Sequence, residues 1–578
     1  MARTRRAVMT AFLIALTMAA GVWAGGKKET PSASSGGRSF YQIEVFNTYA
    51  NYMGVNPGWW GKLLKDELNM ELNLIAPQVA GTGDALYQTR SAAGHVGDLI
   101  IINNARALDL HKAGLLYDMK PLLNSGKYPN VQQKLHVAYE KFAERFDGRG
   151  IYAIPGRVSV KPPTDPAGRA LDPEAAVFLR FDWYLDIGAP AINGLDGLLD
   201  VVERMVKAHP TDESGEKTYG FSGFPDWDGN TPRLAREMLC FMGFRGATDY
   251  IWISHDGKKL SYLMDDNGEY KKALKFMNTA YRRGLLDPDS STQNWDTHVD
   301  KFRSPGRIAM QFWPFQGNTI FARIDLSKRA PYAVVPVNGL VVNNVGYNPY
   351  GLEGFSYAIG AKAKYPERIM EFMEWMCSPK GILAFNSQIE GITYVMRNGQ
   401  PYLTEFGQDP DPDKQAPASL GGGIWDQGIQ RLNYPLTHQD DPNELLNGHS
   451  VNFNLWPSSI DLNKNEWNTK WRELYKANDP LEMLKQRNLL VVTPGTDYTA
   501  PTNPSDIQNA LAQLRGITQP AGWQMIYAKD DAEFEKIWRD MKAQLNDFGY
   551  REVIAWDEKN MVDRIASIDR TLAQYAQK

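Results

Sequence analysis

The stretch YQIEVFN at residues 41–47 alternates, with Tyr41, Ile43 and Val45 on one side and Gln42 and Glu44 on the other. A period of two predicts a strand with one buried face. WWGKLLKDELNM at 59–70 has a helical period, and MELNLIAP at 70–77 is strand-like again. After a loop at 78–94 comes GDLIII at 97–102, an all-apolar run that reads as a buried strand. Asn103 and Asn104 end it, and a helical pattern follows. Strands alternating with helices predict a parallel α/β sheet. Ligands bind beyond the carboxyl ends of such strands, where Asn47, Tyr49 and Asn103 stand. A short polar side chain there caps the next helix, binds a ligand, or does both.

Further along, IYAIPGRVSV at 151–160 is extended and crosses a Pro/Gly break, and AVFLRFDWYLDIGAP at 176–190 runs from strand into helix. An amphipathic helix at 268–284 closes at Gly284, and GRIAMQFWPF at 306–315 reads as a buried strand ending in aromatic residues. The helix after Pro366 buries Ile369, Met370, Met373, Met376 and Cys377 at helical spacing, which makes Cys377 a core residue. Asp530 and Glu533 form a capping-box pair ahead of a face of Phe534, Ile537, Trp538, Met541, Leu545 and Phe548, so Trp538 is core. Residues 400–504 are rich in Pro, Gly, Asn and Asp, with weak periodicity, and read as long loops with short helices. No internal repeat is visible.

At 578 residues the chain is too long for one core. A formal net charge of −4 offers no electrostatic footprint for nucleic acid or an anionic membrane. Cys240 and Cys377 make no zinc spacing, CxxC pair or disulfide framework, and whether they bond to each other stays open. The eight histidines include no pair at metal-ligand spacing, and there is no GxxxxGK[ST] loop. Gly81 and Gly83 begin a dinucleotide pattern that Leu86 breaks, and GFSGF around Ser222 lacks the order of a nucleophile elbow. Nothing positive argues for catalysis.

The amino terminus carries Arg3, Arg5 and Arg6, then an apolar run over 7–20, then Val22 and Ala24 ahead of Gly25. That is the layout of a cleavable secretory signal over 1–24, too short in its apolar run to span a bilayer. With the three arginines and no acids removed, the formal charge falls from −4 to −7. Residues 25–38 read as a flexible Gly/Ser tether, and no cysteine near the cut offers a lipid attachment point. The expected location is periplasmic or extracellular.

Several phrases, in order, resemble the extracellular solute-binding proteins (family 1) of carbohydrate ABC transporters, in a long subgroup with oligosaccharide and alginate-fragment receptors. They are GDLIII, AGLLYDMKPLL, YAIP, FLRFDWYLDIG, YRRGLLDPDSST, GRIAMQFW, the stretch 354–381 and the stretch 523–560. The resemblance implies an α/β, two-lobed periplasmic-binding-protein-like fold, with hinge strands between lobes and a ligand cleft. It divides the chain into an N-terminal lobe of 39–155 and 345–400, and a C-terminal lobe of 156–344 with part of 401–578. The first hinge crossing falls in YAIPGRVSV and the return within 335–357.

The implied function is non-catalytic: capture of a carbohydrate between the lobes by a monomer and delivery to transmembrane permease subunits, with no cofactor. A sugar presents apolar C–H faces and a ring of hydroxyls, so flat aromatics and polar side chains are the candidates. Trp313 matches the family phrase whose terminal aromatic faces ligand. Trp60, Trp227, Tyr350 and Trp425 sit among Gly and polar neighbours, Glu353 is a possible hydroxyl acceptor, and Arg157 could meet a carboxylate on an acidic sugar. Long relatives carry a calcium loop before a TYG phrase. Here HPTDESGEKTYG at 209–220 has His209 and Lys217 where acids are expected, so no metal is assigned. Two alternatives are a secreted polysaccharide-acting enzyme, which the same aromatics would suit, and an oligopeptide receptor. The leader reading makes one direct prediction: intact mass of exported protein gives Gly25 as the first residue, and a retained Met1 contradicts it.

Overall fold

The computed structural model describes residues 38–575 apart from 80–83, 147, 168–172, 174, 304–305, 314–329, 352–353, 410, 412 and 463–464. The expected leader and nearly all of the tether lie outside the described residues, as does Glu353.

The N-terminal lobe is built on a six-stranded sheet in the order Gly54–Val55, Met70–Ile75, Tyr41–Asn47, Leu99–Ile102, Ser356–Ile359, Ile154–Pro155. Tyr41–Asn47 pairs in parallel with Met70–Ile75 on one side and Leu99–Ile102 on the other, as the alternating pattern requires. Ser356–Ile359 runs antiparallel to both its neighbours. It arrives from the other lobe, so it enters the sheet at the end where the parallel strands leave. Ile43, Val45, Leu99 and Ile101 face a core shared with the helices Gly58–Leu68, Pro129–Ala143 and Pro366–Cys377. Phe46, Ile100 and Ile102 face a second core with Ala107 and Leu110 of the helix Asn104–Lys112. Apolar residues on both faces are what the unbroken run at 99–102 demands.

This lobe extends past residue 400. Ala416, Trp425, Leu432 and Leu436 lie in its core, and Leu446, Val451 and Trp456 pack with Ile382 and Leu383. Trp425 stacks on Trp59 at 4.4 Å between ring centroids, and the Trp59 indole N–H donates to the Trp425 carbonyl at 3.0 Å. Gly428 serves this contact: a Cβ there would come within 2.6 Å of the Trp59 ring. Trp60 is fully buried between Phe372 and Trp375. Both tryptophans are therefore interior, a correction to their selection as loop residues able to meet a ligand.

The C-terminal lobe centres on Phe178–Arg180, flanked antiparallel by Met310–Gln311 and Tyr332–Val334. Tyr219 bridges in parallel to Ile308, and Phe221 to Leu286, widening the layer. One large core joins it to the helices Gly194–Ala208, Arg233–Phe241, Glu269–Arg282, Ser505–Ile526 and Asp531–Asp547. The expected cap forms: Asp530 accepts the Glu533 N–H at 2.8 Å, and the Glu533 carboxylate accepts from the Lys529 N–H at 2.9 Å. Trp538 is buried, as its helical face predicts.

Between the lobes the chain forms a ribbon of extended segments. Gly156 and Ser159 donate to the carbonyls of Phe355 and Asn348, and Tyr347 donates to Asp165, so the first crossing and the return run side by side. A third segment joins at one edge, where Arg157 and Val158 donate to Pro435 and Leu436, and His438 donates back to Val158. A fourth joins at the other edge, where Val342–Val345 pairs in parallel with Leu490–Thr493. Gly156 permits the close approach, since a Cβ there would lie 2.1 Å from the Phe355 ring.

Removing the Trp425 ring should leave a cavity over Trp59. Trp425→Ala is expected to destabilise the N-terminal lobe by about 3–5 kcal/mol, read by urea denaturation without any ligand.

Candidate functional site

The carboxyl ends of the C-terminal lobe's strands carry an aromatic platform. Tyr219 and Phe221 are followed by the loop with Trp227, Leu286 by a short turn leading to the helix Trp295–Arg303, and Ile308 by Trp313. Parallel bridging puts all three exits at one edge of the sheet. There Trp227 and Trp295 stack at 4.6 Å, and Trp313 lies 6.4 Å from Trp227. Trp313 is 5% exposed and Trp227 40% exposed. The Arg233 guanidinium covers Trp313 at 4.4 Å and reaches over Trp227 at 5.5 Å, and its Nε pairs with Glu237 at 3.1 Å. The platform therefore exposes Trp227, with Trp295 half-buried beside it, and Trp313 is covered beneath Arg233. That corrects the choice of Trp313 as the leading aromatic.

The platform rests on Phe224, whose ring lies 4.9 Å from Trp227, 5.0 Å from Trp295 and 4.6 Å from His298. Below it Ser222 donates to Asp287 at 2.7 Å, and Lys301 reaches both Asp287 oxygens at 3.0 and 2.8 Å. Burial pushes the His298 imidazole down to about 3, so it is neutral at working pH. Ser222 stands within hydrogen-bond distance of both His298 and Asp287. Buried under the platform and donating to the Asp287 carboxylate, Ser222 has no exposed face for attack.

At the corresponding edge of the N-terminal lobe, Tyr49 is half-buried and donates to the Gly354 carbonyl at 2.8 Å. Its ring lies 4.8 Å from Tyr434. Burial, then the neighbouring Tyr434, pushes its hydroxyl up to about 12, so it stays protonated. Arg157 adopts a left-handed backbone, φ 53°, unusual for a side chain with a Cβ. This sets its guanidinium over the Tyr434 ring at 4.9 Å. The Asn433 amide donates to the Tyr49 carbonyl at 2.7 Å. The sequence reading missed Asn433 and Tyr434, which lie in the aperiodic region, and Trp295 and Arg233, which sit on ordinary helices.

The two asparagines hold this edge together. Asn47 is buried; its amide donates to the Leu432 carbonyl at 2.9 Å and its oxygen accepts the Tyr49 N–H at 2.8 Å. It positions Tyr49 and is closed to a ligand, contrary to its selection. Asn103 caps its helix, accepting the Arg106 N–H at 2.8 Å. Tyr350 stands apart, in a cavity of about 290 Å³ beside the hinge that is also lined by Asn104, Lys141, Arg145, Asp497 and Arg570. In the loop at 209–220 the Asp212 carboxylate accepts from the N–H groups of Ser214 and Glu216, and Lys217 lies 5.1 Å over the Tyr219 ring. Among the described residues no group of three or more His, Cys, Asp or Glu is placed to hold a metal ion.

Two α/β lobes joined by a hydrogen-bonded ribbon, each presenting aromatic and polar side chains where its strands end, define the fold of the two-lobed solute-binding proteins. The comparisons agree. A human-milk-oligosaccharide-binding, ABC-transporter-associated solute-binding protein of Bifidobacterium longum infantis superposes with a TM-score of 0.57, at 16% identity over 92% of this chain and 100% of its own. The substrate-binding protein FusA of Streptococcus pneumoniae, solved with kestose, gives 0.59 at 16% identity over 91% and 99%. An alginate-binding protein solved without calcium ion gives 0.60 at 16% identity over 90% and 98%. In sequence, the fructooligosaccharide ABC transporter substrate-binding protein FusA of Streptococcus pneumoniae is 24% identical over 223 residues, which is 36% of this chain and 38% of that relative. The matched part thus spans little more than a third of the relative's length. No family model matches the chain.

The two tryptophans separate by stability. Trp313→Ala should cost about 3–5 kcal/mol without ligand, whereas Trp227→Ala, losing a partly exposed ring, should stay within about 1.5 kcal/mol. Paired denaturation curves decide between support and surface.

Proposed function

We propose that this protein is the non-catalytic binding component of an ABC importer, which captures an oligosaccharide between its lobes and presents it to a membrane permease. The observation that carries this reading is the stacked Trp227–Trp295 pair at the strand ends of one lobe. Its counterpart is the Tyr49–Tyr434–Arg157 group at the strand ends of the other. Indole faces match the C–H faces of pyranose rings, and the Arg157 and Asn433 side chains can address hydroxyls or a carboxylate. A ligand held by both groups favours closed lobes over open ones, because only the closed form makes both sets of contacts. The relatives bind fructooligosaccharides, milk oligosaccharides and alginate, which supports an oligosaccharide class for this chain. Export through the amino-terminal leader and action as a monomer belong to the same proposal. Among the described residues no helix is long and apolar enough to cross a membrane, so on this reading the permease is a separate protein.

The test is a thermal-shift screen against mono-, di- and oligosaccharides, uronates included, followed by titration calorimetry on any that raise the melting temperature. Saturation at about one hundred times Kd should add about 2.7 kcal/mol of stability. The ligand should be recovered unchanged at one-to-one stoichiometry; turnover would favour the secreted-enzyme alternative. Trp227→Ala is expected to weaken binding roughly thirty- to a thousand-fold, the equivalent of about 2–4 kcal/mol. Unchanged affinity in that variant removes the platform from the site.

A further inference from the structure

The hinge ribbon is fastened at one dipeptide. Asp441 accepts the Ser159 hydroxyl at 2.5 Å on one oxygen and the Val160 N–H at 3.1 Å on the other, gripping the first crossing. Asp440 accepts the Tyr347 hydroxyl at 3.0 Å, gripping the return, and the Asn452 amide at 2.9 Å, which anchors it to the N-terminal lobe. Both aspartates follow directly on the third hinge segment, whose His438 N–H donates to Val158. Three of the four hinge segments therefore converge on two adjacent carboxylates, one of them fully buried and the other nearly so.

We propose that the Asp440–Asp441 dipeptide is a proton-sensitive clamp on the hinge, which tightens as the surroundings turn acidic and so sets how freely the lobes move. This goes beyond the proposed function and does not depend on which ligand the cleft takes.

The sign follows from the surroundings of Asp441. Burial raises its carboxyl to about 6, against the hydrogen bonds from Ser159 and Val160 and the charge of Lys161, which lower it; Asp440 raises it further. Other groups facing the pair are His438, its ring nitrogen 4.0 Å from Asp440, and Tyr347, which lies beneath Lys161. Lys134 and Glu444, paired at 2.9 Å, line with Asp441 a cavity of about 210 Å³ that gives protons a route in. Releasing the clamp exposes Asp441 to water, where its pKa returns to the ordinary carboxylate range near 4. The clamped state thus binds the proton more tightly and is favoured as pH falls through about 6. At neutral pH the buried charge opposes clamping.

Hydrogen–deuterium exchange of the full chain without ligand reads this directly. After correction for intrinsic exchange, the amides of Val158, Ser159, Val160 and His438 should gain up to roughly ten-fold protection from about pH 7.5 to about pH 5. Core amides such as those of Ile100 and Trp252 serve as the reference. In Asp441→Asn the hinge amides should lose that pH dependence, and in Asp440→Asn, with the neighbouring charge removed, its midpoint should move down. Should Asp441→Asn fail to fold, Ser159→Ala supplies the second arm. Losing a donor to the ionised form, it should move the midpoint up. Hinge protection that is flat with pH in the wild type overturns the proposal, as does an unaltered pH profile in both Asp441→Asn and Ser159→Ala.

Discussion

A chain that passes more than once between two lobes must satisfy its backbone hydrogen bonds along every crossing, and the architecture is organised around that constraint. A lone extended crossing would leave donors and acceptors half-buried and unpaired. Here they are paired with one another, across the segments at 156–167, 345–355, 435–438 and 490–495. The segments that edge this ribbon come from the Pro- and Asn-rich part of the chain. That part packs Trp425, Leu432 and Leu436 into the N-terminal lobe and leaves its extended stretches as hinge partners. The ribbon also fixes the site, because Arg157 leaves it in a left-handed conformation that delivers its guanidinium onto Tyr434.

The candidate binding face of each lobe is held from beneath by buried side chains. In the C-terminal lobe the Trp227–Trp295 stack stands on Phe224 and His298, over a floor in which Lys301 neutralises the buried Asp287. A buried charge of this kind persists only when it is paired and hydrogen-bonded, which Ser222, Gln293 and Lys301 together accomplish. In the N-terminal lobe the same part falls to Asn47, whose amide links the loop before Asn433 to the turn carrying Tyr49. Rigid support of this kind is what lets partly exposed rings keep one orientation before a ligand arrives.

Much of the fold was legible in the amino-acid sequence, and for a local reason. Strands at 41–47, 70–75 and 99–102, the helix from Pro366 to Cys377 and the cap at Asp530 rest on periodicity and on side chains a few residues apart. Local pattern carries that information whatever packs against it. The parallel order of the first three strands followed from the same alternation of strands and helices. The positions of Tyr49 after a strand, Arg157 on the hinge crossing and Trp227 in a partly exposed loop were likewise legible, because strand ends, crossings and loops are places a sequence marks.

What only the tertiary structure decided is which aromatic faces are covered. Trp60 and Trp425 carry the same local signs as Trp227, with Gly and polar neighbours, yet they lie in the core. Gly428 admits the segment at Gly58–Trp59, and the partner ring, Trp59, is 366 positions from Trp425 in the chain. Trp313 was placed correctly at a strand end, but Arg233, from a helix far back in the sequence, closes over it. Trp295, Asn433 and Tyr434 reach their sites only through long-range packing, and the joining of Asp440 and Asp441 to both hinge crossings is likewise a contact between distant parts of the chain. Periodicity states which side of an element is buried; it does not state what buries it, and at this site the covering group decides whether a ring is support or surface.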